Sequence, residues 1–573
     1  MTSLKARNSR RKSRKKGKSA QAQSPPLSTK EKLAIKREAK KTRNKFFGSL
    51  STAIALGILT VLPLLLFISP KLAIAGGVAV TLMILSYNYP RASLWAFLIY
   101  MPFAGTITYW LADGNLIFQV AKDIFYFPAL LALIVDCRRR NQPIFIAKPL
   151  RPTLTFLFFV CIIVLLFVNV RMELFAPICE QAGRGMICKE GQPFMRGILG
   201  LKIFLGYIPL AFCGYHLIEN KKTLLQLGRL LAVLAIICCS LALVQYMFLR
   251  TGRCQATSEI AEGANLFRAS LENRCLVGGS LLYTPEQGQI RLPGTFVSPW
   301  HWGWFLIANS AISFTVAFFE TSLFWQLIGF SSMGLILINS VVSGQRVALA
   351  LAPAFIILML FLTGQIVKLK RFIPIAIGIA LVGFVFLTFN PDIVQERVDS
   401  LIGRWQAAPP QNFIVAQWQW AMQALRHYGS YLLGLGLGSG TNSARVFGST
   451  AFLETYHPKV LYEVGYLGFM AFMVFITHLV IYTFKQYQSL KDPFLKSFGS
   501  AFWVFLLVIG YMPYWYPLDT DPVAVYYWLF AGVLIKLTVI DREETSKDIK
   551  TIATKNRRIK RKKFVPLNKR VKT

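Results

Sequence analysis

Residues 224–249 read LLQLGRLLAVLAIICCSLALVQYMFL, 26 residues with a single charge at Arg229. A spanning helix needs about 20 mostly apolar residues, so this stretch predicts a transmembrane helix. Working outward, thirteen more stretches share its character: roughly 47–69, 72–87, 92–111, 116–135, 153–170, 197–218, 300–319, 324–342, 346–366, 372–389, 459–484, 497–513 and 523–540. The fold expected is all-α, a polytopic transmembrane helix bundle of about 14 spans. Composition agrees. The 573 residues are 54% hydrophobic and 16% charged, against about 25% charged in a soluble domain. Mean hydropathy is +0.48 over the whole chain.

The net charge of +38 is uneven. Residues 1–45 carry 17 Lys/Arg against 2 Asp/Glu, and residues 541–573 carry 13 against 4. The two ends thus hold 24 of the 38 charges. This excludes a basic soluble nucleic-acid-binding domain, and no nucleic acid is expected as a partner. The organisation expected is a disordered basic cytoplasmic tail over 1–45, a membrane domain over 46–540 and a second basic cytoplasmic tail over 541–573. The tails suit contact with anionic membrane lipids. No cleavable signal peptide is expected, because the basic stretch before the first span is too long.

Cytoplasmic loops carry excess Lys and Arg. With the N-terminus inside, the inner loops hold Arg138, Arg139, Arg140, Lys148 and Arg151, then Lys221 and Lys222, then Lys368, Lys370 and Arg371, then Lys485, Lys491 and Lys496. The short outer loops hold little beyond Lys71 and Arg346. An even span count returns the C-terminus to the cytoplasm. Three long segments, about 171–196, 250–299 and 390–458, then lie outside. Of the nine cysteines, Cys179 and Cys188 fall in the first and Cys254 and Cys275 in the second. Disulfides belong to oxidising compartments. The pairs expected are Cys179–Cys188 and Cys254–Cys275, one of the three connectivities that four cysteines allow.

There is no phosphate-binding loop, GxSxG elbow, HExxH or CxxC pair, and no tight His/Cys cluster, so no metal or cofactor is expected. Three segments carry polar residues near span ends on the outer side. The first is Arg291-Leu292-Pro293-Gly294-Thr295-Phe296, followed by Ser298-Pro299-Trp300-His301-Trp302-Gly303. The second is Ser343-Gly344-Gln345-Arg346. The third is Glu454-Thr455-Tyr456-His457-Pro458, running into Lys459-Val460-Leu461-Tyr462-Glu463-Val464-Gly465. Upstream of it lie Arg404-Trp405, a helical stretch at about 411–427 and the turn Gly434-Leu435-Gly436-Leu437-Gly438-Ser439-Gly440. Phe413, Trp418, Met422 and Leu425 give the 411–427 stretch an apolar side, so it reads as an interfacial helix of the large outer loop. The glycine run also reads as a plain flexible turn.

Arginine presents a planar, permanently charged fork that suits phosphate oxygens. Histidine takes up a proton near neutral pH. An arginine clamp with a histidine base is chemically sufficient for glycosyl transfer from a lipid-diphosphate sugar. Read alone, an arginine at a span end is equally a snorkelling anchor. Lys202 falls inside the sixth span, where a charge marks a functional position or pairs with an unseen carboxylate. Lys122 and Asp123 read as a structural charge pair.

In order and combination, RLPGTF, SGQR, the long outer loop with Arg-Trp and GLGLGSG, and HPKVLYEVGYLG resemble the O-antigen ligase and polymerase superfamily. The resemblance covers roughly 290–470 by motif; Pro517-Leu518-Asp519-Thr520-Asp521-Pro522 is similar to the family's closing turn. It implies a bacterial cytoplasmic-membrane, metal-independent inverting glycosyltransferase that takes a glycan from a polyprenyl-diphosphate carrier to a lipid or glycan acceptor. By matching position it implies that Arg291 and Arg346 bind the donor diphosphate, with Arg404 and Lys202 as further candidates, that His457 is the base, and that Glu463 supports it. The family commonly has Asn after this histidine and a Pro-Asn after the Gly-Thr-Phe. Here Pro458 follows His457, and Trp300 follows Pro299. The acceptor class, ligase or polymerase, therefore stays open. A transporter of a lipid-linked solute and a scaffold with recruiting tails are the readings from other classes; neither accounts for the ordered outer motifs.

Overall fold

The computed structural model describes residues 29–112, 121–144, 147–177, 189–255, 257, 274–279, 283–284, 289–365 and 409–563, with single positions between 377 and 406. Side chains beyond residue 547 are not part of that description. Among the described residues, 11 helices are long and apolar enough to cross a membrane. The chain is a multi-pass membrane protein built almost wholly from helices.

Eleven is fewer than the fourteen expected. Within the stretch at 116–135 the described residues form the helix Asp123–Arg139, 17 residues with Pro128 inside it, and 116–120 lie outside the described residues. The stretch at 346–366 is likewise a 17-residue helix, Arg346–Leu362. At 17 residues each lies at the short end of the spanning range. The stretch at 372–389 lies mostly outside the described residues. Helix Thr29–Phe67 includes residues 29–45, and helix Val523–Lys563 runs on through 541–563. Lys, Arg, Glu and Ala are good helix formers, so an apolar span continues into its basic flank without a break.

Two compact units divide the chain, residues 1–85 and 86–573. In the first, two helices pack through glycine. A Cβ on Gly57 would lie 2.7 Å from the Gly77 carbonyl oxygen, and the Thr81 hydroxyl donates to the Ala53 carbonyl at 3.2 Å.

The second unit carries every remaining motif. Pro90, Pro193, Pro299, Pro410 and Pro493 each open a helix, where the missing N–H costs nothing and φ is already helical. Helix Lys221–Arg250 starts at a capping box. Asn220 Oδ1 accepts from the Thr223 N–H, and the Asn220 N–H donates to Thr223 Oγ1. Helix Pro299–Phe319 is buried along nearly its whole length. It packs against Lys221–Arg250, Leu323–Val342, Arg346–Leu362 and Pro493–Tyr511. Small residues permit the tightest approaches. A Cβ on Gly532 would lie 1.7 Å from the Ala211 carbonyl oxygen, and one on Gly214 would lie 2.4 Å from that of Leu529. Outward-facing Phe158, Phe159, Leu166 and Phe167 are more than half exposed, a surface suited to lipid rather than water.

The helix Tyr456–Gln488 is broken at Gly465, whose φ of 66° and ψ of −172° are open to glycine alone. The glycine-rich segment fills the break. The Leu435 and Gly436 N–H groups donate to the Tyr462 and Glu463 carbonyls, and Tyr466 and Leu467 donate to Tyr431 and Leu432. A Cβ on Gly434 would lie 2.5 Å from the Gly465 nitrogen. Beyond the break, Asn169 sits in a π-helical turn. Its amide donates to the Leu437 and Pro193 carbonyls at 3.0 Å, and its oxygen accepts from the Leu437 N–H. The glycine run is therefore a docked strap rather than a free turn.

Cys254 and Cys275 are joined by a disulfide. Cys179 and Cys188 lie outside the described residues. The bridge closes onto a two-residue ladder, Arg274–Cys275 against Gly278–Gly279. Gln245 donates to the Cys275 and Gly279 carbonyls at 2.9 and 3.2 Å. Arg274 lies 3.9 Å from the Trp110 ring centre, and the Trp110 indole donates to the Leu276 carbonyl. With a separation of 21 residues between the cysteines, the chain-entropy argument attributes about 3 kcal/mol to the bridge. A Cys254→Ser/Cys275→Ser variant is expected to be cleaved within residues 250–290 about 10²-fold faster under limited proteolysis. Unchanged cleavage would show that the bridge does not hold this segment.

Candidate active site

The first motif is locked from four sides before Arg291 is considered. The Leu292 N–H donates to the Ser343 carbonyl at 3.0 Å, which joins the Arg-Leu-Pro-Gly-Thr-Phe segment to Ser-Gly-Gln-Arg. The Thr295 hydroxyl donates to the Pro102 carbonyl, and the Thr295 carbonyl accepts from the Thr106 N–H. Gly294 has φ 58°, and a Cβ there would meet the Trp302 indole at 2.7 Å. Gly105 allows the Phe296 backbone to pass where a Cβ would lie 2.1 Å away. Arg291 and Arg346 are thereby brought onto neighbouring segments.

The third motif reaches the same place by pairing with the turn after helix Pro493–Tyr511. Thr455 bridges Tyr514 in antiparallel sense. The Trp515 N–H donates to the Glu454 carbonyl at 2.9 Å, and the Tyr456 N–H donates to the Pro513 carbonyl at 2.6 Å. Gln417, on helix Pro410–His427, accepts the Glu454 N–H at 3.1 Å. Glu454 is thus pinned at its backbone from two directions.

Arg291, Arg346, Glu454 and Tyr514 are linked by their charges. Burial pulls the Arg291 guanidinium below its ordinary range, and the like charge of Arg346 adds to this, while Glu454 and Tyr514 oppose it. Burial raises the Glu454 carboxyl, against the pull of Arg291. Burial also raises the Tyr514 phenol, on which Arg346, Glu454 and Arg291 all act. Two guanidinium groups held near one another in a partly dry site repel. An anion between them would relieve that repulsion, and a diphosphate matches both forks.

His457 stands one turn further on. It is 6% exposed and packs against Phe469 and Phe472 at 6.3 and 6.4 Å between ring centres. Its ring meets the Gly510 backbone, and its Nε2 has no hydrogen-bond partner among the described residues. Glu463 is engaged. Its Oε1 accepts from the Gly440 N–H and the Thr441 hydroxyl at 2.9 and 2.8 Å. It lies 3.8 Å from Lys459, which also pairs with Asp519. Lys202 meets Asp123 at 2.6 Å. Lys122 pairs with Asp521 rather than with its neighbour Asp123. The sequence-level pairing of Lys122 with Asp123 fails because adjacent helical side chains point apart. Arg404 lies outside the described residues. Near the first motif, Ser298 and His301 approach at 2.5 Å, with the imidazole stacked on Phe296.

Arg291 and Arg346 therefore share a cluster, while Lys202 and Glu463 each sit in a separate ion pair. Glu454 and Tyr514 join the arginines without having been assigned a role from sequence. One signal for Glu454 was present: it is the first acidic residue after Asp399. Tyr514 offered none. Among the described residues no group of three His, Cys, Asp or Glu side chains could hold a metal ion. No family model matches the chain, and no curated protein matches it.

Proposed function

We propose that this chain is an integral-membrane glycosyltransferase of the O-antigen ligase type, working on the outer face of a bacterial cytoplasmic membrane with both termini inside. It moves a glycan from a polyprenyl-diphosphate carrier to an acceptor hydroxyl. The observation that carries the reading is the shared cluster of Arg291 and Arg346 at the span ends. Both arginines are half-buried, and the lower dielectric there strengthens their hold on an anion. The leaving diphosphate gains negative charge as its bond to the sugar breaks. Guanidinium groups already in place stabilise that charge without reorganising. The proton of the acceptor hydroxyl goes to a base on the 454–457 segment, where the resemblance points to His457.

The test uses full-length protein in lipid nanodiscs with an undecaprenyl-diphosphate oligosaccharide. Release of free undecaprenyl diphosphate, together with an acceptor enlarged by the glycan, is the expected result. An enlarged lipid-linked product would mark a polymerase; a glycan moved to a different lipid or terminal acceptor would mark a ligase. Flux of the labelled donor across proteoliposomes with no covalent product would overturn the reading in favour of transport.

A further inference from the structure

Gln345 stands at the junction of the two segments that carry the arginines. The Ser343 carbonyl accepts the Leu292 N–H at 3.0 Å, and Arg346 follows Gln345 in the chain. The Gln345 backbone is fully used. Its N–H donates to the Ser343 hydroxyl at 3.3 Å, and its carbonyl accepts the Leu349 N–H at 3.0 Å. It is the N-cap residue of helix Arg346–Leu362, yet its side chain makes no cap. The side chain lies instead against helix Pro299–Phe319. Its Cβ and Cγ are each 3.5 Å from the place a Cβ on Gly303 would take.

The amide at the end of that side chain is unused. Gln345 is 1% exposed, and neither its Nε2 nor its Oε1 has a hydrogen-bond partner. Among the described residues it is the only buried side-chain amide with both atoms left over. Gln245, Asn309 and Asn339 each lack a partner at oxygen but donate through nitrogen. Leaving a buried amide unpaired costs stability. Trp302, next to Gly303 in the chain, repeats the pattern. It is fully buried, it packs on Gly294 of the first motif, and its indole N–H has no acceptor.

The amide needs a partner that both accepts and donates. Ionised phosphate oxygens only accept, so a diphosphate would leave Oε1 unpaired. A sugar hydroxyl does both. The first sugar of a lipid-linked donor is bonded directly to the diphosphate. A donor clamped by Arg291 and Arg346 therefore carries its nearest sugar hydroxyls toward the residue between them and the first motif.

We propose that the Gln345 amide binds the first sugar of the donor, selecting a sugar with a hydroxyl or acetamido group beside the anomeric carbon. The inference rests on the glycosyltransferase reading above. Nε2 donates to an oxygen of that group, and Oε1 accepts its O–H or N–H. Gly303 supports the role. Inside a helix glycine is less stable than alanine, yet packing does not require it here. A methyl at 303 would make ordinary contacts, at 3.5 Å to Gln345 and 3.7 Å to the Ala348 Cβ. The room left beside the Gln345 stem lets the amide rotate onto an incoming sugar.

The experiment uses full-length protein in nanodiscs and two lipids. One is an undecaprenyl-diphosphate oligosaccharide that the wild type transfers; the other is undecaprenyl diphosphate without sugar. Gln345→Met keeps the side chain's length and removes its hydrogen-bonding atoms. It is expected to bind the glycan-linked lipid about 10-fold more weakly and the sugar-free lipid as the wild type does. Its Tm without lipid should be equal to or above that of the wild type, since no bond is lost and a buried unpaired amide is gone. Gly303→Ala should show the same selective loss with no fall in Tm. Equal weakening for both lipids overturns the proposal in favour of a diphosphate contact. Wild-type binding of both lipids by Gln345→Met overturns it outright. A lowered Tm with no selective loss assigns the amide to the fold alone. A wild type that neither binds nor transfers the glycan-linked lipid refutes the glycosyltransferase reading itself, a result distinct from a misassigned amide.

Discussion

Alanine at Arg346 or at Arg291 is expected to lower kcat for glycan transfer by about 10²–10³-fold, the cost of removing one preorganised donor from a developing anion. The expectation follows from the shared cluster. Burial depresses Arg291, and the charge of Arg346 adds to that effect, so the Arg291 guanidinium gains more from a bound diphosphate than it would at an open surface. The two effects should not add, because one arginine left alone still holds part of the diphosphate. Lysine restores the charge without the fork, so Arg291→Lys and Arg346→Lys should recover only part of the rate. Steady-state kinetics in nanodiscs check this, with donor binding measured separately. If both alanine variants transfer at wild-type rates, the cluster is not a donor clamp.

The second large effect concerns stability. Lys459→Met is expected to destabilise the folded protein by about 3–5 kcal/mol, the range for removing one partner of a buried ion pair. Lys459 is 2% exposed and serves two carboxylates, Asp519 and Glu463. Without it, Asp519 keeps a buried charge whose Oδ1 already lacks a partner among the described residues. Glu463 would fare better, since Gly440 and Thr441 still donate to it. The double variant Lys459→Met/Asp519→Asn should therefore be more stable than Lys459→Met alone. Thermal unfolding followed by tryptophan fluorescence in detergent gives the comparison. If the single variant melts like wild type, the pair adds nothing to stability.

Much of the helical layout is legible along the chain because lipid imposes a local rule. About 20 apolar residues in a row must satisfy their own backbone, and only a helix does so within one segment. Helix starts were legible for the same local reason, since Pro90, Pro193, Pro299 and Pro493 each stand just ahead of or within the first turn of a span. Of the 116–135 stretch, the described residues 123–135 lie in the helix Asp123–Arg139. The basic flanks carry no such apolar signal, yet the helices of 29–67 and 523–563 continue through them.

The site divides along the same line. Arg291 and Arg346 could be singled out because they stand in the ordered motifs that carry the family resemblance; read alone, an arginine at a span end is equally an anchor. That they act on each other depends on the Leu292–Ser343 hydrogen bond and on glycines at 105 and 294 that let backbones meet. Glu454 and Tyr514, 60 residues apart in the chain, share a site because the 454–456 and 513–515 segments pair. Lys202 announced itself as a charge inside a span, but the partners of Lys122, Lys202 and Lys459, namely Asp521, Asp123 and Asp519, were a matter of packing. Local sequence suffices for which segments enter the membrane and which residues carry charge there, since burial and helix formation are set within a single segment. Pairing is set between segments distant in the chain, and neither hydropathy nor spacing encodes which two helices become neighbours.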